Sequence, residues 1–136
     1  MNVTTAEIEE PKIAGVRDRV AAYVELTKPR IAVMGLVTVA LGFMLATTAE
    51  WSVATLGHAL FGIGLVAASC SALNQWWERD SDRLMVRTAN RALPSGRLLP
   101  NEVLSFGLLL AVVGLVDLIW FVNGLTALLS AVTLLL

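Results

Sequence analysis

The sequence predicts an all-α polytopic membrane protein, a transmembrane helix bundle with three full spans and the start of a fourth. Three observations carry that expectation. Hydrophobic residues fill 57% of the 136 positions and charged residues 15%, against about 45–50% apolar and about 25% charged in soluble domains. Mean hydropathy is +0.74, which leaves too little polar surface to cover a water-soluble globule. The charges are also segregated, because all ten Lys and Arg fall within residues 12–30 and 79–97. The net charge of −1 is uninformative as a total, since the distribution of the charges carries the information, and no nucleic-acid partner is expected. The single cysteine, Cys70, lies in an apolar run, so neither a disulfide framework nor a CxxC metal site is available.

Residues 1–10 (MNVTTAEIEE) are polar and acidic without an apolar face, and are expected to form a mobile tail. Residues 11–136 read as one membrane domain. No signal peptide is expected, since the first long apolar run exceeds a signal h-region and lacks a cleavage site. Between Pro11 and Lys28, residues Ile13, Val16, Val20, Tyr23 and Val24 recur at helical spacing, with Arg17, Asp18 and Glu25 elsewhere on the wheel. This pattern predicts a short amphipathic helix on the membrane surface, or a lead-in without membrane contact.

Residues 31–49 contain no charge and match the length needed to cross about 30 Å of hydrocarbon, which predicts the first span. Glu50, Trp51 and Ser52 form a turn, with Trp51 suited to an interface. Residues 53–77 give the second span, whose last turn carries Asn74, Gln75, Trp76 and Trp77. Pro94-Ser95-Gly96 is turn chemistry, and Pro100 followed by Asn101 and Glu102 signals a helix start. Residues 103–122 form the third span, interrupted by Asp117 alone. Asn123-Gly124 turns the chain, and residues 125–136 begin a fourth span too short to cross by itself. Every Lys and Arg precedes the first span or separates the second from the third. The positive-inside rule therefore places the N-terminus and the loop after the second span in the cytoplasm.

That loop is where chemistry is expected. Residues 74–96 read NQWWERDSDRLMVRTANRALPSG, and residues 78–91 hold three carboxylates (Glu78, Asp80, Asp82) and four arginines (Arg79, Arg83, Arg87, Arg91). If the second helix continues through the motif, Asn74, Glu78 and Asp82 lie at i, i+4 and i+8 on one stripe, at roughly 100° per residue, and Asp80 lies on another face. Oxygen ligands grouped this way suit Mg²⁺, which takes one or two carboxylates and fills its shell with water and phosphate. Arg87 and Arg91 follow one turn apart, and guanidinium suits bidentate phosphate contact. The spacing serves equally a solvated helix laced with i,i+4 ion pairs or a site for anionic lipid headgroups.

Residues 74–96 resemble the first aspartate-rich motif of the UbiA-type intramembrane prenyltransferases, whose pattern is Asn-x3-Asp-x3-Asp followed by Arg-Thr and Arg-Pro-Leu-Pro-x-Gly. Within that superfamily, Arg79-Asp80-x-Asp82, Met85, Arg87-Thr88 and the earlier Leu26-Thr27-Lys28-Pro29-Arg30-Ile31 resemble the branch that farnesylates protohaem IX. Glu78 stands at the first Asp position, and Ala92 stands where the family usually has Pro, a change expected to loosen the loop. The resemblance implies a UbiA-like bundle in the bacterial inner membrane, the lipid bilayer around it, and farnesyl diphosphate and protohaem IX as substrates. It also implies a second carboxylate motif in the family's C-terminal half.

By the same resemblance, Asn74, Glu78 and Asp82 hold Mg²⁺ on the diphosphate, and Arg87 and Arg91 neutralise charge on the leaving group. Arg79, Asp80 and Arg83 belong to the substrate-binding stretch, while Lys28 and Arg30 steer the diphosphate or the haem propionates. Ionisation would give an allylic cation that a haem vinyl group attacks, with water completing the product. Alternatives are a UbiA-type enzyme with another acceptor, such as a quinone precursor or a chlorophyll-type acceptor, or a non-catalytic membrane subunit.

Other polar or small residues have plainer expectations. Asp117, inside a span, is a functional candidate or a group reaching the outer interface. His58 sits too far from the motif for haem ligation there. Residues 67–72 (AASCSA) and Gly35, Gly42, Gly57, Gly62 and Gly64 suit close helix packing. Trp76 and Trp77 read as interfacial anchors.

Overall fold

The computed structural model describes residues 15–46 and 52–136. The expected tail, Lys12, Ile13, the last three residues of the first predicted span, and Glu50 with Trp51 lie outside the described residues. The regular elements of the described chain are all helices: α1 (Val16–Leu26), α2 (Pro29–Ala46), α3 (Val53–Leu84), α4 (Pro100–Phe121) and α5 (Gly124–Leu135). Three of these, α2, α3 and α4, are long and apolar enough to cross a membrane, and α5 is a shorter apolar helix. The protein is thus an all-helical membrane bundle, and uncovered apolar side chains on its spans face lipid rather than water.

Most boundaries follow from capping. Lys28, one residue past the C-cap of α1, adopts φ +46°, the left-handed geometry that closes many helices, with its N–H donating to the Glu25 carbonyl at 3.2 Å. Helix α2 then starts at Pro29, two residues before the predicted span, with proline in a first turn that needs no N–H. Helix α4 starts three residues before residue 103, at Pro100, where the Leu99 N–H donates to Glu102 Oε2 at 3.1 Å. Asn123 caps α5, its Oδ1 accepting from the Thr126 N–H at 2.7 Å.

The antiparallel pair α3 and α4 is the spine. Along α4 the buried residues are Val103, Gly107, Ala111, Gly114 and Leu118, a spacing of threes and fours that keeps one seam on its neighbour. Across from them α3 buries Ala59, Gly62, Val66, Ala68, Ser69 and Ala72. Small residues let the backbones approach closely. A Cβ on Gly114 would lie 2.8 Å from the Gly62 carbonyl oxygen, and one on Gly107 would lie 2.8 Å from the Leu73 side chain. The Ser69 hydroxyl donates to the Gly107 carbonyl at 2.7 Å, so its polar atom is satisfied within the seam. The packing glycines are therefore Gly62, Gly107 and Gly114, with Gly64 touching Leu36. By contrast Gly35, Gly42 and Gly57 would meet nothing within 4 Å, which corrects the expectation for those three.

Two apolar clusters hold the ends of the spine. At the motif end, Ala22 and Leu26 of α1, Ala72 of α3, Ala92, Leu93 and Leu98 of the loop, and Val103 of α4 form one core, with Tyr23, Trp76 and Phe106 against it. At the other end Val66, Leu118 and Ala127 pack together. Ala92 is fully buried, so this alanine seats the loop instead of loosening it. Trp76 packs against the core, and of this pair Trp77, 78% exposed, is the one left for an interface. The predicted apolar stripe of α1 also divides. Tyr23 packs on Phe106 with ring centroids 4.9 Å apart, whereas Val16, Val20 and Val24 stay uncovered.

Far from the motif, His58 and Asp117 join α3 to α4. His58 Nδ1 and Asp117 Oδ1 are hydrogen-bonded at 2.8 Å, and the imidazole stacks on Phe121 at 4.2 Å. Only 11% of the Asp117 side chain is uncovered, so it is a partnered group within the bundle. Replacing His58 with alanine leaves both carboxylate oxygens unpaired, because Oδ2 already lacks a partner among the described residues. A stability loss of about 1–2 kcal/mol is expected in a detergent-unfolding titration. Adding Asp117→Leu to that variant should restore most of it, and a single variant as stable as the parent would show that the pair contributes nothing.

Candidate functional site

Helix α3 runs unbroken for 32 residues, so the span and the carboxylate motif are one rigid rod. Asn74, Glu78 and Asp82 consequently keep their common stripe. Asp80 stays off it, exposed and without a side-chain partner among the described residues. The helix stops at Met85, and the loop folds back across its end. Thr88 Oγ1 donates to the Asp82 carbonyl at 2.9 Å. Gly96 takes φ +76°, where glycine carries no Cβ penalty, and closes the turn predicted at residues 94–96.

The loop delivers Arg91 to the stripe. Its Nη1 donates to Asp82 Oδ2 at 2.8 Å and lies 3.7 Å from Glu78 Oε2. Asp82 is 5% exposed, while Glu78 keeps 46% of its side chain open. One guanidinium thus sits against two carboxylates, one covered and one accessible. Asn74, a turn earlier, borders a cavity of about 500 Å³ lined by Cys70, Leu73, Trp77 and the Thr133 to Leu136 end of α5. That volume falls within the roughly 300–1,000 Å³ of small-molecule sites.

The remaining candidates divide. Arg87 and Arg83 are exposed, without side-chain partners among the described residues. Arg79 turns away from the stripe, donating to the Trp76 carbonyl at 2.6 Å with its guanidinium 4.7 Å over the Trp76 ring. Gln75 Nε2 donates to the Leu26 carbonyl at 3.3 Å, which fixes the α1–α2 corner beside α3 one turn below Arg79. Lys28 and Arg30 flank that corner and form no ion pair among the described residues. Among the described residues no three His, Cys, Asp or Glu side chains cluster tightly enough to hold a metal. A divalent ion here would rest on Glu78, Asp82 and the Asn74 amide.

Two further ion pairs tie α1 to the motif end. Arg97 bridges the loop to α1, with Nη2 donating to Glu25 Oε2 at 2.7 Å and to the Asn90 carbonyl at 2.8 Å. Arg19 pairs with Glu102, and that hydrogen bond and charge hold the Arg19 guanidinium above its ordinary range. Together they clamp α1 over the motif end.

Fold and site define a membrane-embedded helical bundle with a carboxylate and arginine cluster at one end. The chain belongs to the UbiA prenyltransferase family, which its residues 35–136 match. It is 44% identical over 134 residues to "Protoheme IX farnesyltransferase 1" of Pseudomonas entomophila, covering 97% of this chain and 42% of that one. Identity to "Protoheme IX farnesyltransferase" of Solibacter usitatus is 42%, covering 82% and 41%. Identity to the protein of that name from Idiomarina loihiensis is 41%, covering 93% and 41%. The chain spans about two-fifths of the length of the curated relatives it matches. No solved structure matches it.

Proposed function

We propose that this chain carries the first carboxylate motif of an enzyme that transfers a farnesyl group from farnesyl diphosphate to a vinyl group of protohaem IX, giving haem O for terminal oxidases. One observation carries the reading: in a UbiA-family chain, Glu78 and Asp82 converge on a single cationic group at the end of a span. Relatives at 41–44% identity bear the protohaem IX farnesyltransferase name. Residues 11–136 belong to the transmembrane prenyltransferase domain. The two blocks of Lys and Arg support a bacterial inner-membrane protein with its N-terminus and motif loop in the cytoplasm.

The donor set fits Mg²⁺, because two carboxylates and an amide on one stripe leave room for water and phosphate oxygens. Bound there by Asn74, Glu78 and Asp82, the ion would stabilise charge on the departing diphosphate. Arg87, uncommitted and exposed, takes up diphosphate oxygens, and Arg91 joins it. Lys28 and Arg30 attract the same anion or the haem propionates from the neighbouring corner, and Arg83 adds positive field. The apolar wall beside Asn74 receives the prenyl tail and keeps water from the allylic carbon. Transfer breaks the bond from that carbon to the diphosphate oxygen and forms one to the outer carbon of the haem vinyl group; water then adds to the ring-side vinyl carbon and gives up a proton, leaving the hydroxyl.

The test is transfer by the intact protein in membranes given farnesyl diphosphate, Mg²⁺, protohaem IX and a competing aromatic quinone precursor. A haem product heavier by one hydroxyfarnesyl unit is expected. Prenylation of the aromatic acceptor alone would overturn the haem assignment, and no transfer to either acceptor would overturn the enzyme reading.

A further inference from the structure

Arg91 occupies the place that the site reading reserves for a metal. Its guanidinium contacts Asp82 at 2.8 Å and approaches Glu78 to 3.7 Å, so it already offsets one of the two negative charges on the stripe. A divalent cation entering between them would stand within a few ångströms of this positive charge, and like charges so close at a partly dry site repel strongly. The two cations cannot share the carboxylates. Either the metal stays out or the guanidinium leaves.

The loop is built so that the side chain can leave without the backbone following. Around Arg91 the chain is fastened at several points. Its N–H bonds to the Thr88 carbonyl at 3.0 Å and its own carbonyl accepts from the Ser95 N–H at 3.0 Å, while Ala92 and Leu93 beside it are buried in the core. Thr88 holds the loop to α3 through the Asp82 carbonyl and leaves the carboxylate alone. Among the described residues only the long side chain of Arg91, 29% exposed, links loop and carboxylates, and its rotamers can carry the guanidinium outward. What it needs is another anion to meet. Arg87, one turn earlier in the loop, is exposed and without a partner among the described residues, so an incoming diphosphate would be received where Arg91 can also reach it.

We propose that Arg91 is an internal counter-ion that fills the Glu78–Asp82 pair in the resting protein and yields it only when a divalent cation arrives with a diphosphate, whose oxygens become the new partner of the guanidinium. The proposal rests on the reading of Glu78 and Asp82 as metal-holding groups. Metal alone then binds weakly, since it must displace a paired arginine into water. Diphosphate supplies the compensation, so metal and diphosphate strengthen each other's binding by the same factor. Buried Asp82 also keeps a counter-charge between turnovers, and solvent reaches the remaining charge on Glu78, 46% exposed.

The test uses Mn²⁺ as a paramagnetic stand-in for the cation and inorganic diphosphate as the anion, with the intact protein in lipid nanodiscs. Bound Mn²⁺ is read by electron paramagnetic resonance, so the result does not depend on turnover. The parent protein should bind Mn²⁺ weakly alone and about tenfold or more tightly with diphosphate. Arg91→Gln should bind Mn²⁺ alone about tenfold more tightly than the parent and lose most of the diphosphate enhancement. Arg91→Lys, which keeps the charge on a side chain of similar length, should stay near the parent and controls for disturbance of the loop. Mn²⁺ affinity unchanged or weakened in Arg91→Gln, or equally raised in Arg91→Lys, would overturn the proposal and leave a fixed loop clamp. Asp82→Asn binding Mn²⁺ with diphosphate as well as the parent would instead overturn the metal-site reading itself, and the proposal with it.

Discussion

An Asp82→Asn protein is expected to transfer the prenyl group about 10²–10³-fold more slowly than its parent, the scale of losing one preorganised charge-stabilising group. The substitution keeps the side-chain shape, which matters at a residue 5% exposed. It also keeps the loop attachment, because Thr88 donates to the Asp82 backbone carbonyl and not to its carboxylate. What disappears is the negative charge that Arg91 contacts at 2.8 Å. Initial rates with farnesyl diphosphate, set beside a thermal melt followed by circular dichroism, separate chemistry from folding. A matched Asp80→Asn variant should lose far less, since Asp80 lies off the stripe and is exposed. Equal losses in the two variants would sink the assignment of roles along the stripe.

Gly114→Val should part the spine. Even the first carbon of the new side chain would come 2.8 Å from the Gly62 carbonyl oxygen, 3.0 Å from Leu65 Cβ and 3.1 Å from Val66 Cγ2. Two of these are backbone or backbone-proximal atoms of α3, which cannot turn aside as a flexible side-chain tip can. The helices must separate, and the Ser69 to Gly107 hydrogen bond at 2.7 Å, two turns along the same seam, would stretch with them. Overpacking of this kind costs about 1–3 kcal/mol or more, and the upper end is expected because backbone has to move. A detergent-unfolding titration measures it. Gly57→Val is the control, with nothing within 4 Å of its Cβ position; if both variants cost the same, close approach of α3 and α4 is not what Gly114 provides.

The spans were legible because lipid permits few solutions: long uncharged runs must be helices, and the charged blocks mark where they end. The stripe of Asn74, Glu78 and Asp82 was legible for the same reason, since helical periodicity persists when nothing breaks the helix. Arg91's position was not, because a 15-residue return from Met85 to Leu99 can bring any of its arginines to α3. Its seat depends on Ala92, Leu93 and Leu98 finding a core made from three helices. The His58 to Asp117 pair had a usable signal: each residue sits about a turn and a half from the end of its span remote from the motif, and antiparallel neighbours bring such positions together. Gly107 and Gly114 were not legible as packing glycines, because only the facing surface of α3 shows which glycines in the chain touch anything.

The unbroken course of α3 makes span length and site orientation a single quantity. Each residue added within the bilayer lifts the carboxylates about 1.5 Å and swings them through about 100°, away from the loop that carries Arg91. Only whole turns restore the bearing, and each comes with a change of about 5 Å in height. A thicker or thinner membrane therefore cannot be met by adding or removing one residue. Such a bundle must tilt instead, so its choice of bilayer is written in steps, not along a continuum.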